Sequence, residues 1–514
     1  MSQSLLAANT GPVTIAFNEI PANILVPGVY TEVAPNYSAA GLVGYTAAVL
    51  LMVPVLATGT LAPLTPTQVF TPAQGTALVG AGGIGDGMIR AFLAANPWTT
   101  LYVMALATPG GATTASWAVQ ALAAGTLATS GVAALYINGK QYAYSVVGGV
   151  DTGATTDAGL AALITADTAC PVVVTSTTGG VITLTARDAG AIGNQIDVRW
   201  NLLPGDQNVA GLTQTVTPTA GTGVHAVATA FAAVPTLPVT DIVCPWNDAA
   251  SSAALSAELE RRFGAMLELD AVGYGGFIET TVTTLLSDTA GLNERFASYL
   301  QFQKLPTAVY LLAAIYGAVA SYYLMLDPAR QLKGLALPGV VAPAQVDVLT
   351  ETERQQLLAG GGATCTVDRD GTVRIERAVT TYKDAPGNVP DSSWRDIMTA
   401  KVMQRIRYDW RNFVKLQYPR NKMAADGTLA AEYDDSIVTP RRMHGSWASR
   451  CRLYEQLGWI QNSAQTVAQS VFQLDATDPN RMDARMQVQI MNNLMVLAGR
   501  IEFSQQAATA GAQG

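Results

Sequence analysis

The sequence of 514 residues is poor in charge, histidine and cysteine. Charged residues make up 13% of the chain, roughly half of the usual share in globular proteins. Two histidines and four widely separated cysteines without a C-x-x-C pair give no zinc site or disulfide framework, and indicate buried thiols in a reducing compartment. A hydrophobic content of 49% is ample for buried cores. So little charge indicates a soluble protein whose surface is covered by other subunits.

Basic residues are also missing from the N-terminus, because no lysine or arginine precedes Arg90. The basic region that a secretory signal peptide requires is therefore absent. The apolar run at 305–326 carries no charge and is long enough to span a membrane. Because no basic flank orients it, we interpret this run as a buried helix on a sheet and keep a membrane anchor as an alternative.

A glycine-rich loop raises the question of a nucleotide cofactor. Gly80, Gly82 and Gly85 have the G-x-G-x-x-G spacing of a dinucleotide-binding turn. That turn requires a strand before the glycines and an acidic residue after the next strand, yet 76–79 is a weak strand and 101–106 continues without an acid. We predict a plain loop before a helix at 87–96 and no cofactor. A nucleotide-binding oxidoreductase that uses this loop is kept as the alternative function.

Motifs of catalysis and metal binding are missing as well. There is no G-x-S-x-G, no H-E-x-x-H and no group of histidines. Asp368, Asp370 and Gly371 resemble the start of a calcium loop, but the remaining ligands and the terminal glutamate are absent, which favours a hairpin turn. We therefore predict no catalytic residues and no metal site.

Patterns that are present divide the chain into domains. Strands alternate with helices in 41–107 and again in 224–345, which predicts one α/β domain with a mainly parallel sheet. Between these stretches, 108–223 is rich in glycine, threonine and alanine and carries hairpin signals at Asn138-Gly139 and Gly179-Gly180. We predict that 108–223 is an inserted β-rich domain.

The two ends of the chain have patterns of their own. Three spaced prolines in 1–40 favour an extended N-terminal arm. Helix and hairpin signals predict an α+β C-terminal domain at 346–495, and 496–514 is a C-terminal arm. The expected fold class is α/β and α+β multidomain, with an interrupted α/β sandwich, a β-rich inserted domain, an α+β C-terminal domain and extended terminal arms.

A predicted helix at 394–417 has one basic face and one apolar face. At 100° per residue, its basic residues fall on one side; they are Lys401, Arg405, Arg407, Arg411 and Lys415. Such a face is either solvated or meets an acidic partner. The acidic total charge of −8 argues against nucleic acid.

Stretches over nearly the whole chain resemble the contractile-tail sheath proteins of bacteriophages, specifically the Mu-like branch. They include IPANILVPGVYTEV near the N-terminus, GDGMIRAFLAANP at 85–97, LTARDAGAIGNQIDVRWNLLPG at 184–205, LPGVVAPA at 337–344, TVRIERAVTTY at 372–382, QYPRNKMAADG at 417–427 and DPNRMD at 478–483. The resemblance implies a structural, non-enzymatic subunit that stacks as six-fold rings around a tail tube and contracts on a baseplate signal.

The resemblance also implies partners and contacts. The expected partners are other copies of the chain, six per ring, the tail tube protein, and the baseplate and tail terminator proteins, with no nucleic acid and no membrane insertion. The expected location is the virion tail, assembled in the bacterial cytoplasm. Terminal arms can add strands to a neighbour's sheet, and we predict arm contacts at Val26, Val29, Tyr30, Val33, Val496, Ile501 and Phe503. The family's C-terminal domain faces the tube, so the basic helix face is the candidate tube contact.

Overall fold

The computed structural model describes Gly28 and residues 41–178 and 180–503. From residue 41 onwards, the chain first forms an α/β unit. Its first strand, AVLLMVP, is buried at every position, as expected for a central parallel strand with helices on both faces. The elements of this unit are β1 Ala48–Pro54, β2 Thr67–Val69, α1 Pro72–Val79, α2 Ile84–Ala95 and β3 Thr100–Leu106.

A β-rich domain follows, built from hairpins. Its elements are β4 Thr114–Leu122, β5 Gly131–Ile137, β6 Lys140–Val146, α3 Gly153–Ala166, β7 Val172–Thr178, β8 Val181–Ala189, β9 Val198–Trp200 and β10 Thr213–Thr219. They form a four-stranded sheet in the order β10-β4-β8-β7 and a three-stranded sheet in the order β6-β5-β9. Asn138 and Gly139 both have positive φ, 50° and 80°, which fits the two-residue turn between β5 and β6.

The α/β pattern then resumes and completes the central sheet. The elements are α4 Val227–Ala233, β11 Asp241–Val243, α5 Ala249–Phe263, β12 Val272–Glu279, α6 Val282–Ala290, β13 Ala297–Gln303 and α7 Val309–Leu326. The sheet has the order β13-β12-β11-β1-β3-β2, with β2 antiparallel and the other strands parallel. Its strands come from 41–107 and 224–345, the two stretches that the sequence pattern joins in one domain.

The apolar run at 305–326 forms α7, which packs on this sheet. Among the described residues, α7 is the one helix whose length and composition would allow it to cross a membrane, and 72% of it is buried inside the protein. Gly317 meets the sheet so closely that a Cβ there would lie 2.3 Å from a methyl of Val243. The contacts that α7 makes with the sheet and with α2 account for its apolar character without a lipid phase.

The last part of the chain is α+β in character. Its elements are α8 Glu351–Ala359, β14 Thr364–Val367, β15 Val373–Arg377, β16 Asp384–Ala385, β17 Val389–Pro390, α9 Ile397–Gln417, β18 Lys422–Met423, α10 Leu429–Tyr433, β19 Ile437–Val438, α11 Pro440–Gln456, α12 Ser463–Gln469, β20 Val471–Leu474 and β21 Met482–Arg485. Thr350 and Glu353 form a capping box at the start of α8.

Two hydrophobic clusters of buried residues meet within α9. Buried residues from Leu349 to Ala400 belong to the core of the central sheet. A separate cluster begins within α9 at Val402 and includes Trp447, Tyr454 and Ile460. The segment 346–400 therefore packs as part of the α/β domain, because α8 and β14 lie against α6 and β13.

One local prediction is wrong. Residues 76–79, predicted as a strand, lie in α1, because the Thr71 side chain caps the helix and Pro72 occupies its first turn.

Candidate functional surfaces

Carboxylates of the protein itself occupy the glycine loop between α1 and α2. Asp188 on β8 of the inserted domain accepts a hydrogen bond of 2.7 Å from the Ile84 N–H at the start of α2. Asp86 accepts one of 2.9 Å from the Gly82 N–H. Burial raises the pKa of Asp188 to about 6. The position where a cofactor phosphate would bind is thus taken by a side chain that joins the two domains.

The protein also packs closely around the glycines of this loop. A Cβ at Gly82 would lie 2.4 Å from the Thr168 carbonyl oxygen, and one at Gly80 would lie 2.6 Å from the Thr58 hydroxyl. Both residues have positive φ, 73° and 92°. The G-x-G-x-x-G spacing therefore serves the close packing of a helix–loop–helix against the inserted domain.

Two alanine substitutions in α2 are expected to change stability in opposite directions. A Cβ at Gly85 would lie 2.5 Å from the Pro54 carbonyl oxygen, whereas one at Gly87 would meet Leu311 at an ordinary 3.5 Å. We expect Gly85→Ala to lower the free energy of unfolding by about 1–3 kcal/mol, and Gly87→Ala to raise it by about 0.5–1 kcal/mol through helix propensity. Denaturant unfolding measures both, and equal effects would contradict the packing argument.

A buried histidine lies where the inserted domain rejoins the α/β domain. His225 is 3% exposed, its ring centroid lies 5.0 Å from that of Trp246, and neither ring nitrogen has a hydrogen-bond partner in the described chain. Burial lowers the pKa of His225 to about 4, and Asp248 opposes this shift. The folded state therefore holds the neutral ring.

Acid is expected to destabilise the protein through His225. Its pKa is about 6.5 when unfolded and about 4 when folded, so the unfolded chain binds the proton first. As pH falls from 6.5 to 4, wild type should lose up to about 1.4 kcal/mol of unfolding free energy per pH unit relative to His225→Phe. Urea unfolding of both proteins at pH 7, 6 and 5 checks this. Both proteins have the same carboxyl groups, so their contribution cancels in the comparison. Unfolding free energies that change in parallel with pH would contradict the prediction.

The first residue of the basic face of α9 points into the protein. Lys401 is 5% exposed, and its Nζ lies 2.7 Å from Asp241 Oδ1 and 2.9 Å from the Thr240 carbonyl oxygen. Asp241 begins β11 in the centre of the sheet. The pair therefore links the C-terminal helix to the central domain.

The next residues along α9 continue this contact. Gln404 Nε2 donates to the Ala271 carbonyl, Arg407 pairs with Asp270 at 2.9 Å, and Arg411 pairs with Glu268 at 2.8 Å. Together with the Lys401–Asp241 pair, these contacts form what we call the α9 seam. A half-open cavity of about 220 Å³ lies along the seam, and its charged lining residues are already paired with each other.

The basic face of α9 is therefore largely covered by other segments of the same chain. Lys401, Arg407 and Arg411 are engaged at the seam. Arg405 stacks over the Tyr45 ring at 3.8 Å, and burial lowers its pKa. Lys415 at the end of α9 is exposed and pairs with no carboxylate of the described residues. Charge spacing on a helix shows which residues share a face, but it does not show whether an acidic surface of the same chain covers that face.

A second buried ionic group, around Asp409, binds the first residues of the continuously described chain. Asp409 accepts hydrogen bonds from the Val43 N–H at 2.8 Å, from Arg450 Nε at 2.9 Å and from the Tyr454 hydroxyl at 2.6 Å. Arg450 also donates to the Gly41 carbonyl. The residues that follow the N-terminal arm are thus fixed to α9 and α11. Sequence analysis missed this group, since Asp409 is a single acidic residue among basic ones.

The C-terminal segment first packs on the C-terminal domain and then loses contact with it. Val488 and Ile490 pack on the cluster that also holds Leu42, and the Met491 N–H donates to the Trp459 carbonyl. Beyond Leu494 the described main chain has no partner in the described residues. Val496, Ile501 and Phe503, the predicted C-terminal arm contacts, are 80%, 94% and 88% exposed. The predicted contacts Val26, Val29, Tyr30 and Val33 lie outside the described residues.

Sheet edges in the C-terminal domain are available to an added strand. β20 and β21 pair only with each other among the described strands. Their outer edges therefore present main-chain groups without a strand partner. In the described residues, no group of three histidine, cysteine or acidic side chains is placed to hold a metal ion.

Comparison with known families assigns the chain. Residues 220–381 match the phage tail sheath protein central domain, and residues 389–504 match the phage tail sheath C-terminal domain. Together these matches span more than half of the sequence. The chain belongs to the phage tail sheath proteins.

A curated relative places it near the Mu-like proteins. The chain is 29% identical over 493 residues to the Mu-like prophage FluMu tail sheath protein of Haemophilus influenzae, a match that covers 95% of this chain and 99% of the relative. Mu-like sheath identity was the interpretation reached from the sequence, and the comparison confirms it.

Solved sheath structures give looser matches. The sheath of an extracellular contractile injection system in its contracted state aligns with a TM-score of 0.49 and 12% identity, covering 94% of this chain and 98% of that one. The sheath tail protein of Listeria innocua aligns with a TM-score of 0.48 and 14% identity, covering 88% and 93%. The family assignment depends on the sequence matches alone.

Proposed function

We propose that this protein is the structural subunit of a contractile tail sheath. It polymerises as six-fold helical rings around a tail tube, and its contraction drives the tube through the host envelope. It is not an enzyme. Its partners are other copies of itself, the tail tube protein, and the baseplate and tail terminator proteins, and it resides in the virion tail after assembly in the host cytoplasm.

The single observation that carries the proposal is the C-terminal arm. A subunit that acted alone would gain nothing from an extended segment whose apolar side chains all face water. Val496, Ile501 and Phe503 are each at least 80% exposed. Ile490, just before this segment, packs against the core of the C-terminal domain. This arrangement suits a strand that completes the sheet of a neighbouring subunit, for which the edges of β20 and β21 are the available sites.

The contacts of the α9 seam favour rigid-body movement of the subunit, with its central and C-terminal domains held together. Paired charges and a buried lysine hold the C-terminal domain to the central sheet over the Lys401 to Arg411 length of α9. Contraction of a helical array requires subunits to rotate against each other while extended arms keep them connected. A rigid body with extended arms meets both requirements.

Of the predicted tube-contact residues, we keep only the one at the exposed end of α9 in this proposal. Lys415 is the one member of the predicted set whose charge is available, and Leu416 beside it is 72% exposed. A weak, screenable contact of this kind could be released during contraction. Lys415→Glu, compared with wild type in binding to tube protein at low salt, tests this role, and equal binding would remove it.

Electron microscopy tests the proposed function. The full chain, purified without detergent, is imaged by negative stain alone and with a tube protein. Hollow striated tubes of self-assembled subunits are the expected result. A chain that stays monomeric under both conditions would overturn the proposal. The alternative oxidoreductase predicts saturable NAD or FAD binding, and the carboxylates that occupy the glycine loop argue against it.

A further inference from the structure

An exposed tryptophan lies on the surface of the α/β domain. Trp98, between α2 and β3, is 77% exposed. The buried Asn96 fixes its backbone, since Asn96 Oδ1 accepts from the N–H groups of Trp98 and Thr99 at 3.1 Å each. Asn96 Nδ2 donates to the Ala318 carbonyl at 2.9 Å and to Thr99 Oγ1 at 2.7 Å. The backbone that carries the indole is therefore fixed.

Exposed apolar side chains also occur at the end of α7, the helix to which Asn96 ties the turn that carries Trp98. The bonds from Asn96 reach the second-last turn of that helix, at Ala318 and Ser321. Tyr323 is 43% and Leu326 61% exposed in its last turn. No charged residue occurs in 94–99 or in 322–326. Trp98, Tyr323 and Leu326 are here called the Trp98 patch.

The patch has the properties of a protein-binding anchor. Energetic centres of interfaces are enriched in tryptophan and tyrosine, because these side chains bury a large area and lose little conformational freedom. A side chain whose backbone is already fixed loses less still. Most of α7 is buried, whereas Tyr323 and Leu326 in its last turn are exposed together with Trp98.

Its position favours a second copy of the chain as the occupant. The turn that follows α7 contacts both chain ends: Ala329 packs in the cluster that holds Leu42, and Gln331 Nε2 donates to the Leu494 carbonyl at 3.0 Å. The continuously described chain begins at Gly41, and beyond Leu494 its main chain has no partner in the described residues. A surface that adjoins both arm roots is brought against the subunit that the arms reach.

We infer that the Trp98 patch is a body-to-body contact between neighbouring subunits, in addition to the arms. This inference depends on the proposed function. The proposed contact is apolar and involves no strand addition. Its contribution to polymerisation can therefore be measured separately from that of the arms. The patch is uncharged, so this contact should persist at salt concentrations that weaken charged contacts.

Polymerisation of two alanine variants tests the inference. Met266 is 95% exposed in the segment after α5 and provides a matched apolar control. We expect Trp98→Ala to raise the critical concentration for polymerisation by about 10-fold or more, and Met266→Ala to change it less than about 2-fold. Critical concentrations are measured by sedimentation at low and high salt. A Trp98→Ala chain that polymerises like wild type would overturn the inference.

Chemical labelling identifies the occupant. Ala94 is exposed on α2 near Trp98, and the four native cysteines are buried, so Ala94→Cys gives a maleimide site beside the patch. It should react at least about 10-fold more slowly in polymer than in monomer, whereas Met266→Cys should react alike in both. Slow reaction already in the monomer, relieved by deletion of residues 1–40, would show that the chain's own arm covers the patch and would overturn the inference. A wild-type chain that never polymerises would instead overturn the proposed function and this contact with it.

Discussion

Replacing the three apolar side chains of the C-terminal arm by serine is expected to abolish polymerisation and leave the monomer intact. Val496, Ile501 and Phe503 are almost fully exposed, so the free energy of unfolding of the monomer should change by less than about 0.5 kcal/mol. If a neighbour buries them, each contributes about 1.5–3 kcal/mol to association. Loss of all three should weaken subunit association more than about 1000-fold. Sedimentation and negative-stain microscopy measure this loss.

A matched triple variant controls for the loss of exposed apolar surface in general. Met266, Val346 and Val389 are also exposed, lie outside the arm, and are changed to serine together. This control should polymerise at the wild-type concentration. Tubes formed equally well by the arm variant would mean that the arm does not connect subunits, and the proposed mode of assembly would be rejected.

Breaking the buried ion pair of the α9 seam is expected to cause the largest loss of stability. Lys401→Met leaves Asp241, which is fully buried, without its cationic partner. Removal of one member of a buried pair costs about 3–5 kcal/mol, because the other charge stays buried and uncompensated. The denaturant midpoint of the monomer, followed by intrinsic fluorescence, should fall accordingly.

The same helix offers a control for this substitution. Lys415→Met makes the identical change at an exposed position, where we expect an effect within about 0.5 kcal/mol. The double variant Lys401→Met with Asp241→Leu should be more stable than Lys401→Met alone, since no unpaired charge remains. Equal stability of Lys401→Met and Lys415→Met would show that the buried pair does not hold the two domains together.

The course of the chain was largely predictable from the sequence. The strand at 101–106, the turn at Asn138-Gly139 and the long helix α9 follow from local patterns, and the structure has them within a few residues of the expected places. The interrupted α/β domain follows from the return of the same alternation after the insertion. These features depend on residues close together in the sequence, which is where propensity and periodicity act.

The candidate sites were much less predictable. Gly82 and Gly85 matched a cofactor motif by spacing, but the residue that occupies the loop, Asp188, lies 104 positions away from its partner Ile84. The basic face of α9 was correctly placed on one side of a helix, yet its carboxylate partners come from 241–270. A periodic pattern carries no information about which distant segment covers a face.

The sequence by itself determined the family and the approximate order of the elements. Only the tertiary structure decided that most of the α9 charges are used inside the subunit, that Asp409 holds the chain at Val43, and that Trp98 is exposed on a backbone held by Asn96. The physical reason is that pairing and exposure are properties of the whole packed chain. Electrostatic and hydrophobic energies depend on what lies next to a group in space, and that neighbour is seldom next to it in sequence.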